Sequence, residues 1–403
     1  MDNTIHCEVA LANPHAEVQR LQTRHQRANF VSIESYLAWL SDEEINYIIK
    51  AVADLPELQT FRISFSFQKF RQLPVLPIPG HALVSILESK LLETLTLDEA
   101  TFKFPDFNDV YRLASALEQA PRLKIVTLFN FFPLEPASNT NSTTTRSSSS
   151  VDSPTANVLA RALCHLPSLQ ELNLIFTRDG PAWICALLRQ SCSSHSMQRL
   201  RINVPDGSFL GQPIQCLCQS LQTNSVLQEL SIRCPLDENG GNAVARALNS
   251  PLNRLEQVYI QLKHYDFAIP IAEALHTNRC LKSFELRVWT GGDRAPLLHA
   301  CERMVLHNPV LQELVIDNGR LGLTALIDFY LLLNLQDRRQ LLECGDKLSP
   351  KAWIDSLGRQ LSNVSGLFYT LSLNPTLCGQ SSQTSTDMDV DYEDCRKRQR
   401  RLC

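Results

Sequence analysis

No stretch of the chain approaches the roughly 18 consecutive apolar residues that a membrane-crossing helix requires. The longest candidate, Leu321 to Leu335, is broken by Gly322, Thr324, Asp328 and Asn334 and reads as a buried helix. Met1 to Ala12 carries Asp2 and Glu8 and lacks an apolar core, so no secretory signal is expected. None of the 13 cysteines forms a CxxC pair, and no histidine stands at zinc spacing from one. Buried reduced thiols are therefore expected, rather than disulfides or a metal site. Glycine is scarce, at 14 of 403 residues, which excludes a collagen-like chain, and a hydrophobic fraction of 44% excludes a wholly disordered one. Neither charge dominates: 38 Lys and Arg oppose 42 Asp and Glu, for a net charge of −4, so direct nucleic-acid binding is not expected. The catalytic signatures GxxxxGK[ST], GxGxxG after a strand, HExxH and GxSxG are all missing. The expectation is a protein that is not an enzyme and holds no cofactor.

What the chain does contain is one short pattern, repeated. A leucine, two residues, an apolar residue, one residue and a final Leu or Ile recur as Leu58-Phe61-Ile63, Leu92-Leu95-Leu97, Leu123-Val126-Leu128 and Leu169-Leu172-Leu174. The series continues as Met197-Leu200-Ile202, Leu227-Leu230-Ile232, Leu255-Val258-Ile260, Leu281-Phe284-Leu286 and Leu311-Leu314-Ile316. Steps between first residues are 34, 31, 46, 28, 30, 28, 26 and 30. Apolar pairs at helical spacing precede the copies, among them Ala114-x-x-Leu117, Ala160-x-x-Leu163, Cys218-x-x-Leu221 and Ala272-x-x-Leu275. Breakers fall between helix and strand, among them Pro121, Pro167, Asn224, Asn278 and Asn308-Pro309. The unit is helix, short turn, short strand.

In Leu227-Gln-Glu-Leu230-Ser-Ile232 and Leu311-Gln-Glu-Leu314-Val-Ile316 the chain resembles the leucine-rich repeat family, in its long-repeat, ribonuclease-inhibitor-like form. The resemblance implies an α/β fold. It is a curved solenoid, or horseshoe, with a parallel sheet on the concave face and helices on the convex face. Elementary spacing agrees: strands sit about 4.8 Å apart and packed helices about 8–10 Å, so the helix side must fan outward. One feature departs from the family. Three residues after the last strand leucine, where the family places Asn or Cys, stand Ser66, Ala100, Phe131, Thr177, Pro205, Pro235, Lys263, Trp289 and Gly319. The usual side-chain ladder on that edge is expected to be missing or replaced.

Four segments are expected. Residues 1–44 form an N-terminal cap, with Ser41-x-x-Glu44 as a capping box opening the helix that follows. Residues 45–335 hold the nine strand motifs, and residues 336–378 a C-terminal helical cap. Residues 379–403 are a disordered tail, acidic at Asp387, Asp389, Asp391, Glu393 and Asp394, then basic. The 46-residue step is explained by a low-complexity Ser/Thr insertion at about 136–154, expected to be disordered.

The function expected is a non-catalytic scaffold that binds a protein partner on the concave strand face; the alternative is a GTPase-activating regulator of the leucine-rich-repeat type. Outward strand positions alternate with the core. Among them Arg199, Arg201, Arg233, Tyr259 and Arg287 form the candidate partner-binding patch for an acidic segment, with Arg201 and Tyr259 near its centre. The competing reading has these arginines solvating the face and pairing with nearby Glu. Arg396, Lys397, Arg398, Arg400 and Arg401 resemble a nuclear-import signal; a plain solvated tail is the alternative. Trp183, Trp289 and Phe129 read as packing residues, and His165, His276 and His307 as products of repeat geometry. A monomeric intracellular protein of the cytoplasm or nucleus, without membrane contact, completes the expectation.

Overall fold

The computed structural model describes residues 6–10, 14–24, 27–35, 41–65, 77–98, 101–130, 132–133, 153–176, 181–191, 194–204, 211–317 and 323–335. Residues 136–152 of the Ser/Thr insertion, the C-terminal cap and the tail, with all five import-signal residues, lie outside them; Ser153 and Pro154, expected at the end of the insertion, instead cap and open a helix.

Along the described residues, strands and helices alternate. The first elements are β1 (His6–Ala10), α1 (Pro14–Arg24), β2 (Phe30–Ser35), α2 (Asp42–Ala53), β3 (Thr60–Phe65), β4 (Pro77–Pro79), α3 (Gly80–Leu87), β5 (Thr94–Asp98), β6 (Thr101–Lys103) and α4 (Phe107–Glu118). Next come β7 (Ile125–Phe129), β8 (Phe132–Pro133), α5 (Pro154–Cys164), β9 (Glu171–Ile175), α6 (Pro181–Ser191), β10 (Arg199–Asn203), α7 (Gly211–Leu221), β11 (Glu229–Leu236) and α8 (Glu238–Leu248). The last are β12 (Gln257–Leu262), α9 (Ile269–Leu275), β13 (Ser283–Val288), α10 (Ala295–His307), β14 (Glu313–Ile316) and α11 (Ala325–Leu335). Eleven strands form one open parallel sheet in chain order, from β1 to β14; β4, β6 and β8 make a second, three-stranded parallel sheet. None of the described helices is long and apolar enough to cross a membrane.

The repeat motif sets the register. Leu172, Leu200, Leu230, Val258, Phe284 and Leu314 stand opposite one another in successive strands, as do Leu174, Ile202, Ile232, Ile260, Leu286 and Ile316. All of these side chains are at most 4% exposed. A slip of one residue would turn every one of them to the opposite face, so the leucines enforce the pairing. Consecutive helices pack side by side from α1 to α11. They contribute the small-then-large pairs that the sequence announces, such as Ala160 with Leu163 and Ala272 with Leu275, all buried. Each strand–helix unit thus buries its apolar residues against its neighbours, and cohesion accumulates along the row.

Residues 1–44 do more than cover the first repeat. β1 and β2 extend the same sheet, with Val31 paired to Phe61 and Ile33 to Ile63. Ala28, fully buried, occupies the place of the motif's first leucine before β2, which is why a search for leucine misses that unit. The capping box is present at the start of α2. The Glu44 amide donates to Ser41 Oγ at 3.2 Å, and the Ser41 amide donates to Glu44 Oε2 at 2.8 Å. The Ser41 amide and hydroxyl, both donating to Glu44 Oε2, hold the Glu44 carboxyl below its ordinary pKa.

Among the described residues, successive units are tied together at both ends of the strands. Past the strand ends, backbone amides carry the pairing on: Phe176 N–H donates to Asn203 O at 2.8 Å, and Val204 N–H to Arg233 O at 3.2 Å. Apolar side chains two residues after the last strand leucine fill the space, with Phe176, Val204, Cys234 and Leu262 all buried. At the other end of the strands, asparagines link successive repeats. Asn278 Nδ2 donates to Leu248 O at 2.7 Å, while its Oδ1 accepts from the Cys280 and Leu281 amides at 2.9 and 2.8 Å. Asn308 repeats this arrangement with Leu275 O, Val310 N–H and Leu311 N–H. Asn334, inside α11, donates to Asn308 O and Leu311 O at 2.8 and 2.7 Å. Residues that read as breakers are therefore the fasteners between units. One glycine has a steric reason: a Cβ on Gly241 would stand 2.6 Å from the Phe267 carbonyl, so α8 can approach the next turn only without a side chain there.

Candidate interaction face

The outward side of β9 to β13 carries a depression of about 580 Å³, lined among others by Asn173, Arg201, Glu229, Ser231, Arg233, Tyr259 and Glu285. Strand alternation puts these side chains there, because their neighbours in sequence are the core leucines. Arg201, Ser231, Tyr259 and Glu285 fall in one column of the register, and Asn203 with Arg233, and Gln261 with Arg287, in the next.

The five residues singled out from the sequence separate into two groups. Arg199 and Arg201 are held by carboxylates. Arg201 Nη2 meets Glu229 Oε1 at 2.8 Å and its Nε donates to the same oxygen at 3.0 Å. Its Nη1 lies 3.5 Å from Glu171, whose other oxygen is 3.2 Å from Arg199 Nε. The bond to Glu229 raises the Arg201 pKa further. Glu171 is 8% exposed, and Asn173 Nδ2 donates to it at 3.0 Å and to Thr127 Oγ1 at 3.2 Å. For these two arginines the pairing reading describes the geometry. Glu171 and Glu229 were legible as outward residues, but not as a cage around Arg201.

Arg233, Tyr259 and Arg287 make the second group. The Arg233 guanidinium lies 5.0 Å from the centre of the Tyr259 ring, and that of Arg287 5.5 Å. Both contacts are within cation–π range. Arg287 also lies 3.3 Å from Glu285. Among the described residues, Arg233 makes no ion pair. Burial pushes the Tyr259 phenol pKa up, with the two guanidinium charges opposing. The ring is thus a neutral platform between two cations at neutral pH.

Past the ends of β12 and β14, Tyr265 Oη donates to Asp317 Oδ2 at 2.5 Å, and the Val288 amide donates to Asp317 Oδ1 at 3.1 Å. Asp317 adopts φ 56°, a conformation in which aspartate and asparagine are enriched. Trp289, expected to pack, is 61% exposed, directly after the end of β13. Trp183 is buried and Phe129 half-buried. His276 and His307 face each other with ring centres 4.3 Å apart beside a helix-side hollow of about 270 Å³ that includes Glu273 and Arg303. Burial, His307 and nearby arginines lower the His276 pKa. No group of three or more metal-ligating side chains exists among the described residues. The described cysteines are free thiols.

No family model and no curated protein matches the chain. Among solved structures, the chain is similar to one titled "Leiomodin-1 Actin-Binding Site 2 (ABS2)", at 14% identity and a TM-score of 0.33, over 42% of this chain and 98% of that one.

Proposed function

We propose that this chain is a non-catalytic interaction module of the leucine-rich repeat type, in the ribonuclease-inhibitor-like form. Its strand face lines the inside of a curved array and receives an acidic segment of a partner protein. The observation that carries this reading is the Arg233–Tyr259–Arg287 stack, with Arg233 outside any ion pair among the described residues. A guanidinium fixed over a ring keeps its donors free to chelate a carboxylate, and its geometry is set before the ligand arrives. Arg and Tyr are also the residue types that dominate interface energetics. Arg201 is a supporting residue in this reading, since Glu171 and Glu229 already use its donors, and the centre of the site moves toward Arg233 and Tyr259.

The test uses fluorescence anisotropy with extended peptides in which Asp or Glu alternates with apolar residues, against Asn/Gln versions of the same peptides. Binding of the acidic set alone, lost in Arg233→Ala/Tyr259→Ala, is the expected result. Equal binding of both sets, or binding untouched by the double substitution, would sink the proposal.

A further inference from the structure

The C-terminal tail carries Asp387-Met-Asp389-Val-Asp391-Tyr-Glu393-Asp394. Acidic residues occupy every second position from Asp387 to Glu393, with Met388, Val390 and Tyr392 between them. In an extended chain this period places four carboxylates on one side and three apolar side chains on the other. That is the ligand chemistry proposed above for the Arg233–Tyr259–Arg287 face, and it lies within the same polypeptide. We infer that the segment Asp387–Asp394 docks on this face of its own chain and competes with an outside partner. The inference rests on the reading of the face as a site for acidic segments and adds its regulation.

Two observations support the pairing. The first is charge. At the C-terminal ends of β11 to β13 the outward cations are Arg233, Lys263 and Arg287, and of these only Arg287 has a carboxylate partner among the described residues, Glu285. Lys263 follows β12 directly and continues its outward alternation, half-exposed. A strand of carboxylates would therefore meet cations that local pairing has not neutralised.

The second is reach. The described chain ends at Leu335, in α11, which packs on α10 and β14. Asp387 lies 52 residues beyond Leu335, a length of chain that spans up to about 170 Å when extended. β13 and β12 lie only one and two strand spacings from β14, about 5 and 10 Å. The tail is long enough to reach Tyr259 without disturbing the array. A tethered segment acts at an effective concentration of about 1 mM, so an intrinsic Kd near 0.1 mM would weaken an outside ligand about tenfold.

The experiment uses the full chain in two arms. In the first, carbodiimide joins lysine amines to carboxylates in an equimolar mixture of isotope-light and isotope-heavy protein, and digests are read by mass spectrometry. A Lys263 link to the 387–394 segment within one isotope class is expected, and its loss in Arg233→Ala/Arg287→Ala, a variant checked for unchanged melting. Absence of the link, or a link only between light and heavy chains, overturns docking within one chain. In the second arm, a labelled acidic peptide is titrated against the intact chain and against Asp387→Asn/Asp389→Asn/Asp391→Asn/Glu393→Gln/Asp394→Asn. Affinity should rise about tenfold on neutralising the tail. Equal affinity for both proteins overturns self-docking and leaves the face as an acidic-segment site, whereas binding by neither overturns the reading of the face itself.

Discussion

Asn308 donates from its side-chain amide to the backbone carbonyl of Asn278, one repeat earlier, at 3.2 Å. Both residues sit at the same place in their units, three positions before a strand leucine, and each straps its turn to the unit before it. Asn308 is 0% exposed and also serves Leu275 O, Val310 N–H and Leu311 N–H. Asn308→Ala leaves these backbone groups buried without partners, at a cost of about 2–4 kcal/mol. Urea unfolding should show that loss. Asn224→Ala, in a half-buried turn that water can reach, should cost distinctly less. Equal losses would mean that the asparagines act locally and do not join the units.

Leu230 tests the strand register. Its side chain is 2% exposed, with Leu200 and Val258 opposite it on the flanking strands. Leu230→Asp buries a carboxylate with no cation to meet it and should cost on the order of 4 kcal/mol or more, unfolding the middle of the array. A thermal melt matching the parent protein would show that position 230 faces solvent.

The two arginine groups on the strand face predict opposite phenotypes. Arg201 is about half exposed and tied to Glu229, so Arg201→Ala should change stability by at most about 1 kcal/mol. It should leave acidic-peptide binding nearly intact. Arg233→Ala with Tyr259→Ala should weaken that binding by about 2 kcal/mol or more, with little change in melting temperature. Isothermal titration on the three proteins separates these outcomes, and a larger binding loss for Arg201→Ala would return the centre of the site to β10.

Thiol reactivity reports on the core. Burial pushes the Cys234 and Cys301 thiols up to about 12. At pH 8 a thiol of pKa about 12 is thiolate to about one part in ten thousand, and only thiolate reacts with iodoacetamide. In native protein Cys216 and Cys280, both partly exposed, should be alkylated well before Cys234 and Cys301, and all four should react in denaturant. For the buried pair, labelling should grow as the pH approaches 12. Rapid native labelling of Cys234 at pH 8 would show that the core opens behind β11.

The repeat was legible in the sequence because its cause is local. Leucines at fixed offsets must share a face, and nine copies at nearly constant steps leave one way to bury them all: side by side, in chain order. Ala28 escaped notice for the complementary reason. A methyl group suffices in that turn because neighbouring units fill the remaining volume, and neighbours are set by the fold. The same holds for the asparagines, whose capacity for four hydrogen bonds is written in the residue while the carbonyls they donate to lie 23 to 33 positions away. On the strand face, alternation alone placed Arg199, Arg201, Arg233, Tyr259 and Arg287 outward. Which arginine is caged and which lies over the ring depends on the register between strands 26 to 30 residues apart, and on whether a glutamate or a tyrosine stands in the adjacent column. Periodicity determines the side on which a residue emerges. Its neighbours there, and therefore its charge balance, are decided only when the strands are laid next to one another.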